Sequence, residues 1–102
     1  MDLSGTDEWV LMVIVALRDS AYGVSIHDQL VVAGVRASLG AIYTSLERLE
    51  QRGLVASKQG EASPNRGGRR KRLFRATPSG RRALAELQAV RERLKTLQPR
   101  TS

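Results

Sequence analysis

The stretch from Ser38 to Gly53, SLGAIYTSLERLEQRG, constrains the fold more than any other part of the chain. Leu39, Ile42, Leu46 and Leu49 recur at three- and four-residue steps, which places them on one stripe of an α-helix, and that stripe must face a core. Ser38 can accept one of the N–H groups left over in the first turn, and Gly53 suits the left-handed position just past the last. Opposite the stripe stand Ala41, Thr44, Ser45, Arg48 and Arg52. Small, hydroxyl-bearing and cationic side chains on one face can lie close against a polyanion.

The flanking segments say what this helix belongs to. Upstream, Ser20 is placed to cap a helix over 21–32 with Tyr22, Ile26 and Leu30 on its inner side, ended by Ala33-Gly34-Val35. Downstream, Leu54 to Lys58 reads as a short strand. The segment from Gly60 to Gly68, with Pro64, Asn65 and paired glycines, is too irregular for an element, and the basic run Arg69-Arg70-Lys71-Arg72 then leads into a second strand over Leu73 to Ala76. Helix, turn, helix, strand, basic loop, strand is the order of a winged helix-turn-helix. The expected fold is mainly α with a small β-hairpin, and residues 1–76 form the DNA-binding unit with its wing at about 54–76.

The two ends of the chain carry the remaining apolar surface. Thr6 is a candidate cap for a first helix in which Asp7 and Glu8 complement the helix dipole. Trp9 to Leu17 is then apolar on every face, so this helix needs cover on two sides, one from its own domain and one from a second subunit. Thr77-Pro78 starts the last helix, which is expected to run to Gln98 before Pro99, leaving 99–102 as a tail. Along it Ala83, Leu87, Val90, Leu94 and Leu97 follow the heptad seam of a coiled coil; Leu84 widens that stripe, so packing on the chain's own domain is the alternative. Residues 77–98 are accordingly read as a dimerisation helix, with Trp9, Val13, Ala83, Leu87, Val90, Leu94 and Leu97 as the contact set.

Charge points to the partner. Among 102 residues, 17 Lys and Arg stand against 10 Asp and Glu, a net charge of +7. Seven of the cations fall between Ser57 and Arg75, with Glu61 as the one carboxylate among them. Four consecutive cations repel one another, and a hairpin gains nothing from them without an anion. Other chemistry finds no footing. There is no cysteine for a disulfide or thiolate metal site, and a cytoplasmic setting is expected. His27 has only Asp28 beside it, so no metal site or cofactor is expected, and no catalytic set assembles. The apolar run is too short to span a bilayer, so no membrane partner is expected.

The pattern Tyr22-Gly23, Ser38-Leu39-Gly40-Ala41-Ile42-Tyr43 with Leu46, Arg48-Leu49 and Gly53-Leu54-Val55, the basic second strand, and Thr77-Pro78-Ser79-Gly80 resembles the PadR-like transcriptional regulators over nearly the whole chain. That resemblance implies a homodimeric repressor of the short form with one C-terminal helix. It also implies binding of an inverted-repeat operator in duplex DNA, with release in some members by a planar or phenolic effector held between subunits. Trp9 is the candidate floor of such a pocket, or else an ordinary interface tryptophan. From the residues themselves, Ser38, Gly40, Ala41, Thr44 and Ser45 form the candidate groove-facing set. Tyr43 can give its hydroxyl to a phosphate or pack its ring between helices, and Arg48 suits a structural or phosphate role. Arg36, Lys58, Arg66, Arg69, Arg70 and Arg72 are the candidate phosphate contacts. The alternative is a winged-helix module for RNA or an acidic protein. The few aromatics count against a surface that stacks single-stranded bases.

Overall fold

The computed structural model describes residues 3–62 and 70–99, without the side chains at 61, 62 and 70. In chain order the elements are α1 (Gly5–Leu17), a 3-10 turn (Arg18–Ser20), α2 (Gly23–Val32), α3 (Leu39–Gln51), β1 (Val55–Ala62), β2 (Arg70–Ala76) and α4 (Pro78–Lys95). The strands pair antiparallel from Val55 opposite Ala76 to Ala62 opposite Arg70, with the register broken between Gln59 and Ala62. On the far edge of β2, the Phe74 amide donates to the Ala21 carbonyl at 2.8 Å, so the link before α2 lies along the hairpin. This is the winged helix-turn-helix expected from the element order.

Both helices of the helix-turn-helix end in the same way. At α2, Gly34 takes φ +87° while the Val35 amide reaches back to Leu30 O and the Gly34 amide to Val31 O. At α3, Gly53 takes φ +72° with Leu54 bonded to Leu49 O and Gly53 to Glu50 O. Each is a paired closure through a left-handed glycine that satisfies carbonyls the helix would leave open. The chain then turns sharply, which sets the two helices against each other.

One core joins all the elements: Val10, Leu11 and Ile14 from α1, Ile26 and Leu30 from α2, Ile42, Leu46 and Leu49 from α3, Leu54 and Val55 at β1, Phe74 from β2, and Ala83 and Leu84 from α4. Fully burying one large aliphatic or aromatic side chain contributes about 1.5–3 kcal/mol. The first turn of α4 is locked on by Thr77, whose hydroxyl donates to Gly53 O at 2.7 Å and accepts from the Gly80 amide at 3.0 Å. Gly80 packs so tightly on Leu54 that a methyl group there would meet the Leu54 carbonyl.

Several boundaries differ from the sequence expectation. Ser4, not Thr6, caps α1, accepting from the Asp7 amide at 3.1 Å. Asp7 and Glu8, expected only to complement the helix dipole, face inward beside Val10 and Leu11, and both are buried. Ser20 does not cap α2; its hydroxyl donates to Leu17 O, and the N-cap is Tyr22, whose amide donates to Ser25. Leu39 is exposed, because the first turn of α3 projects beyond the core that Ile42, Leu46 and Leu49 fill. β1 continues through Gly60 to Ala62, since the bulge absorbs what an even ladder could not. α4 stops at Lys95, so Leu97 lies beyond it. Ala83, expected at the seam, is buried with Leu84 in the domain's own core, and the apolar positions further along, Val90 and Leu94, are exposed.

Candidate nucleic-acid interface

The exposed end of α3 is built by its cap. Ser38 Oγ accepts from the Ala41 amide at 3.0 Å, leaving Gly40, Ala41, Tyr43 and Thr44 in the open. Thr44 donates its hydroxyl to Gly40 O at 3.0 Å, so its oxygen and methyl remain for a partner. A Cβ placed on Gly40 would have only Ser38 Oγ within 4 Å, so backbone is within reach of whatever docks. Tyr43 lays its ring where a side chain at Gly23 would stand, yet the residue stays exposed. The ring packs on α2 and half of the side chain remains free for contact.

Ser45 departs from the expected face. It is fully buried at 0% exposure and donates its hydroxyl to Asp7 of α1. Arg48, one turn on, holds both oxygens of the same carboxylate, Nε to Oδ2 at 3.1 Å and Nη2 to Oδ1 at 2.8 Å. Burial pushes the Asp7 carboxyl up; the hydrogen bonds and charge of Arg48, with those from Ser45 and Ser4, outweigh it and hold the group below the usual carboxylate range. Arg48 in turn is held above its ordinary value by the Asp7 hydrogen bond and charge. Asp7 was legible in the sequence only as a helix-dipole residue; its partners lie 38 and 41 positions away.

The wing is tied to α3 through Glu50, which accepts from Ser57 Oγ at 2.6 Å and lies 3.6 Å from Arg72. Tyr43, Leu46, Glu47, Glu50, Arg72 and Phe74 thereby line a groove between α3 and β2. Alternation along β2 divides the basic run: Arg72 shares a face with buried Phe74, and Lys71 and Arg75 take the other. Lys71 sits 4.3 Å over the Tyr22 ring, a cation–π contact that joins the wing to the start of α2. Neither residue stood among the expected contacts; the signal available was the two-residue period of the strand. Lys58 and Arg36 are exposed, the latter in the turn before α3. Arg66 and Arg69 lie outside the described residues, as does the side chain of Arg70.

A second surface lies on α1 and α4. Trp9 is 42% exposed and Met12 40%, while Val13 packs partly against the core. On α4, Leu87 is half-buried and Val90, Leu94 and, past the helix end, Leu97 rise from 42% to 71% exposure. Among the described residues no group of three His, Cys, Asp or Glu could hold a metal ion, and no helix is long and apolar enough to cross a membrane.

Comparison with known proteins places this geometry. The family model described as the transcriptional regulator PadR-like family matches residues 10–86. The chain is 38% identical over 79 residues to the Transcriptional regulator Rv3488 of Mycobacterium tuberculosis, an alignment spanning 78% of this chain and 70% of that protein. A PadR family transcriptional regulator from Eggerthella lenta is 30% identical with a TM-score of 0.69, over 83% of this chain and 72% of that one. A PadR-like transcription factor from Bacteroides fragilis shares the fold at a TM-score of 0.74 with 24% identity, over 87% and 82% of the two chains.

Proposed function

Because the chain belongs to the PadR-like family of transcriptional regulators, we propose that it is a cytoplasmic, homodimeric repressor that reads an inverted repeat in duplex DNA. The observation that carries this reading is the bare end of α3. Ser38, Gly40, Ala41 and Thr44 are exposed together, small enough for close approach, beside a wing that holds most of the chain's excess positive charge. In this reading α3 enters the major groove, Thr44 meets base edges, and Tyr43, Arg36, Lys58 and the wing arginines meet phosphates.

Dimerisation is supported by shape as well as by exposed apolar surface. A compact domain of about 100 residues has a radius of gyration of about 13 Å, and this chain has 16.1 Å, extended to 68 Å along its longest axis. Trp9 and Met12 on α1, with Leu87, Val90 and Leu94 on α4, are the surface a second copy would cover. A two-fold dimer presents two copies of α3, whose spacing must match about one turn of B-DNA, ~34 Å, or a multiple of it. Trp9 is the side chain that an apolar effector between subunits would meet.

The test is a mobility-shift comparison of duplex DNA, single-stranded DNA and RNA, using a duplex enriched by the protein from a random-sequence pool. Preference for the enriched duplex is expected. In the same titrations, Lys58→Ala and Arg72→Ala should each lower the slope of log affinity against log salt by about 0.9 per lost phosphate contact without changing the preferred sequence. Equal affinity for all three nucleic acids would overturn the operator-reading assignment and leave the alternative, a winged-helix module for RNA or an acidic protein.

A further inference from the structure

Two neighbouring carboxylates in the first turn of α1 do different work. Asp7, 2% exposed, grips α3 through Ser45 and Arg48. Glu8, 5% exposed, reaches the other way and accepts from Arg91 of α4 at 2.8 Å. Trp9, the next residue, lies on the exposed apolar surface. A buried carboxylate needs partners, since an uncompensated charge in a core is strongly unfavourable. The start of α1 therefore cannot shift relative to α3 or α4 without giving up one of these pairs.

We propose that Asp7 and Glu8 couple the α1–α4 surface to DNA reading: Asp7 is a positioning residue that fixes the orientation of α3, and Glu8 passes to it the placement of α4. The geometry favours this over simple stabilisation. Asp7 holds α3 one turn behind exposed Thr44, on the opposite side from the wing anchor at Glu50, so α3 is braced from α1 on one side and from the hairpin on the other. With the α1 brace loosened, α3 would keep its buried apolar stripe, and its exposed end would lose a fixed angle. Specific contacts depend steeply on that angle; phosphate attraction depends on it much less. Displacement of α4, or of α1 near Trp9, would act on the same pair of carboxylates.

This rests on α3 being the DNA-reading helix, and the experiment separates the two ideas. Measure affinity for the duplex enriched by the wild-type protein and for a scrambled duplex of equal length, together with hydrogen exchange of the α3 amides in the DNA-free protein. Asp7→Asn should lower the ratio of the two affinities about fivefold or more, with scrambled-duplex affinity retained, and should speed exchange along α3. Arg91→Ala, which removes the bond to Glu8 and leaves Asp7 with its own partners, should move the ratio and the α3 exchange in the same direction. The double variant should fall short of the product of the two effects. An unchanged ratio with unchanged α3 exchange would overturn the coupling. So would an equal fall for both duplexes that tracks thermal unfolding, the mark of a purely structural role. If Asp7→Asn does not fold, Arg91→Ala decides alone, because its side chain is 59% exposed. A wild-type protein with no sequence preference would refute the DNA-reading assignment, and α3 exchange in Arg91→Ala would still report on the coupling.

Discussion

Two adjacent residues of α3 with similar side chains stand in opposite environments. Thr44 is exposed with its hydroxyl bonded back to Gly40 O, and Ser45 is sealed against Asp7. A bulky replacement therefore separates their roles: Thr44→Leu should leave the circular dichroism melt nearly unchanged and abolish preference for the enriched duplex. Ser45→Leu should lower the melting temperature steeply, because overpacking costs about 1–3 kcal/mol and buried Asp7 loses one of its donors. Similar melts for the two variants would show that Ser45 is not held in the core. Asp7 also leaves a signature in pH. Its folded carboxyl titrates below its unfolded value, so its contribution to stability is fully present above about pH 4 and is lost as the pH falls through the folded value. Urea unfolding from pH 7 to pH 3 should show a fall in stability at the acid end that is shallower in Asp7→Asn. At this scale the sequence was least legible. Helical periodicity put Ser45 and Thr44 on one polar face, and nothing local to either could reveal an acceptor 38 residues upstream.

The elements themselves were nearly all readable, since each is marked by local chemistry: Ser38 and Gly53 at the ends of α3, Gly34 after α2, Thr77-Pro78 before α4. What was not readable is how far each extends. Ser4 and Thr6 are both good cap types, and it is Ser4 that accepts from the Asp7 amide. The heptad reading of α4 failed at Ala83 because the first turns of that helix complete the wing domain's core before any free surface begins. That docking makes Gly80 a sharp test. The carbonyl it touches is backbone and cannot rotate away, so Gly80→Ala should lift α4 from Leu54 and destabilise the fold by about 1–3 kcal/mol, read as a shift in urea midpoint. The same change at Gly40, where almost nothing is near, should be far milder for stability. Equal shifts at the two glycines would mean that the α4 contact yields easily.

For the molecule as a whole, the decisive quantity is what a lone chain leaves uncovered. Leu94 is 59% exposed in a monomer that gains nothing from it. If a second copy covers it, Leu94→Ala removes about 2 kcal/mol per subunit; entering twice, this raises the dimer dissociation constant about a thousandfold. Sedimentation velocity of both proteins at micromolar concentration reads the difference, and footprinting should then show half-sites occupied singly. A wild-type monomer, or a dimer indifferent to the change, would remove the assigned interface. The bond between Glu8 and Arg91 spans 83 positions of the chain, and this has a bearing on synthesis. Chains are made at roughly 5–20 residues per second, so α1 leaves the ribosome several seconds before the helix that shields it exists. During that interval the apolar flank of α1 that α4 later covers is open to water and to chaperones. The core around Val10, Leu11 and Ile14 is complete only once Ala83 and Leu84 of α4 have docked on it.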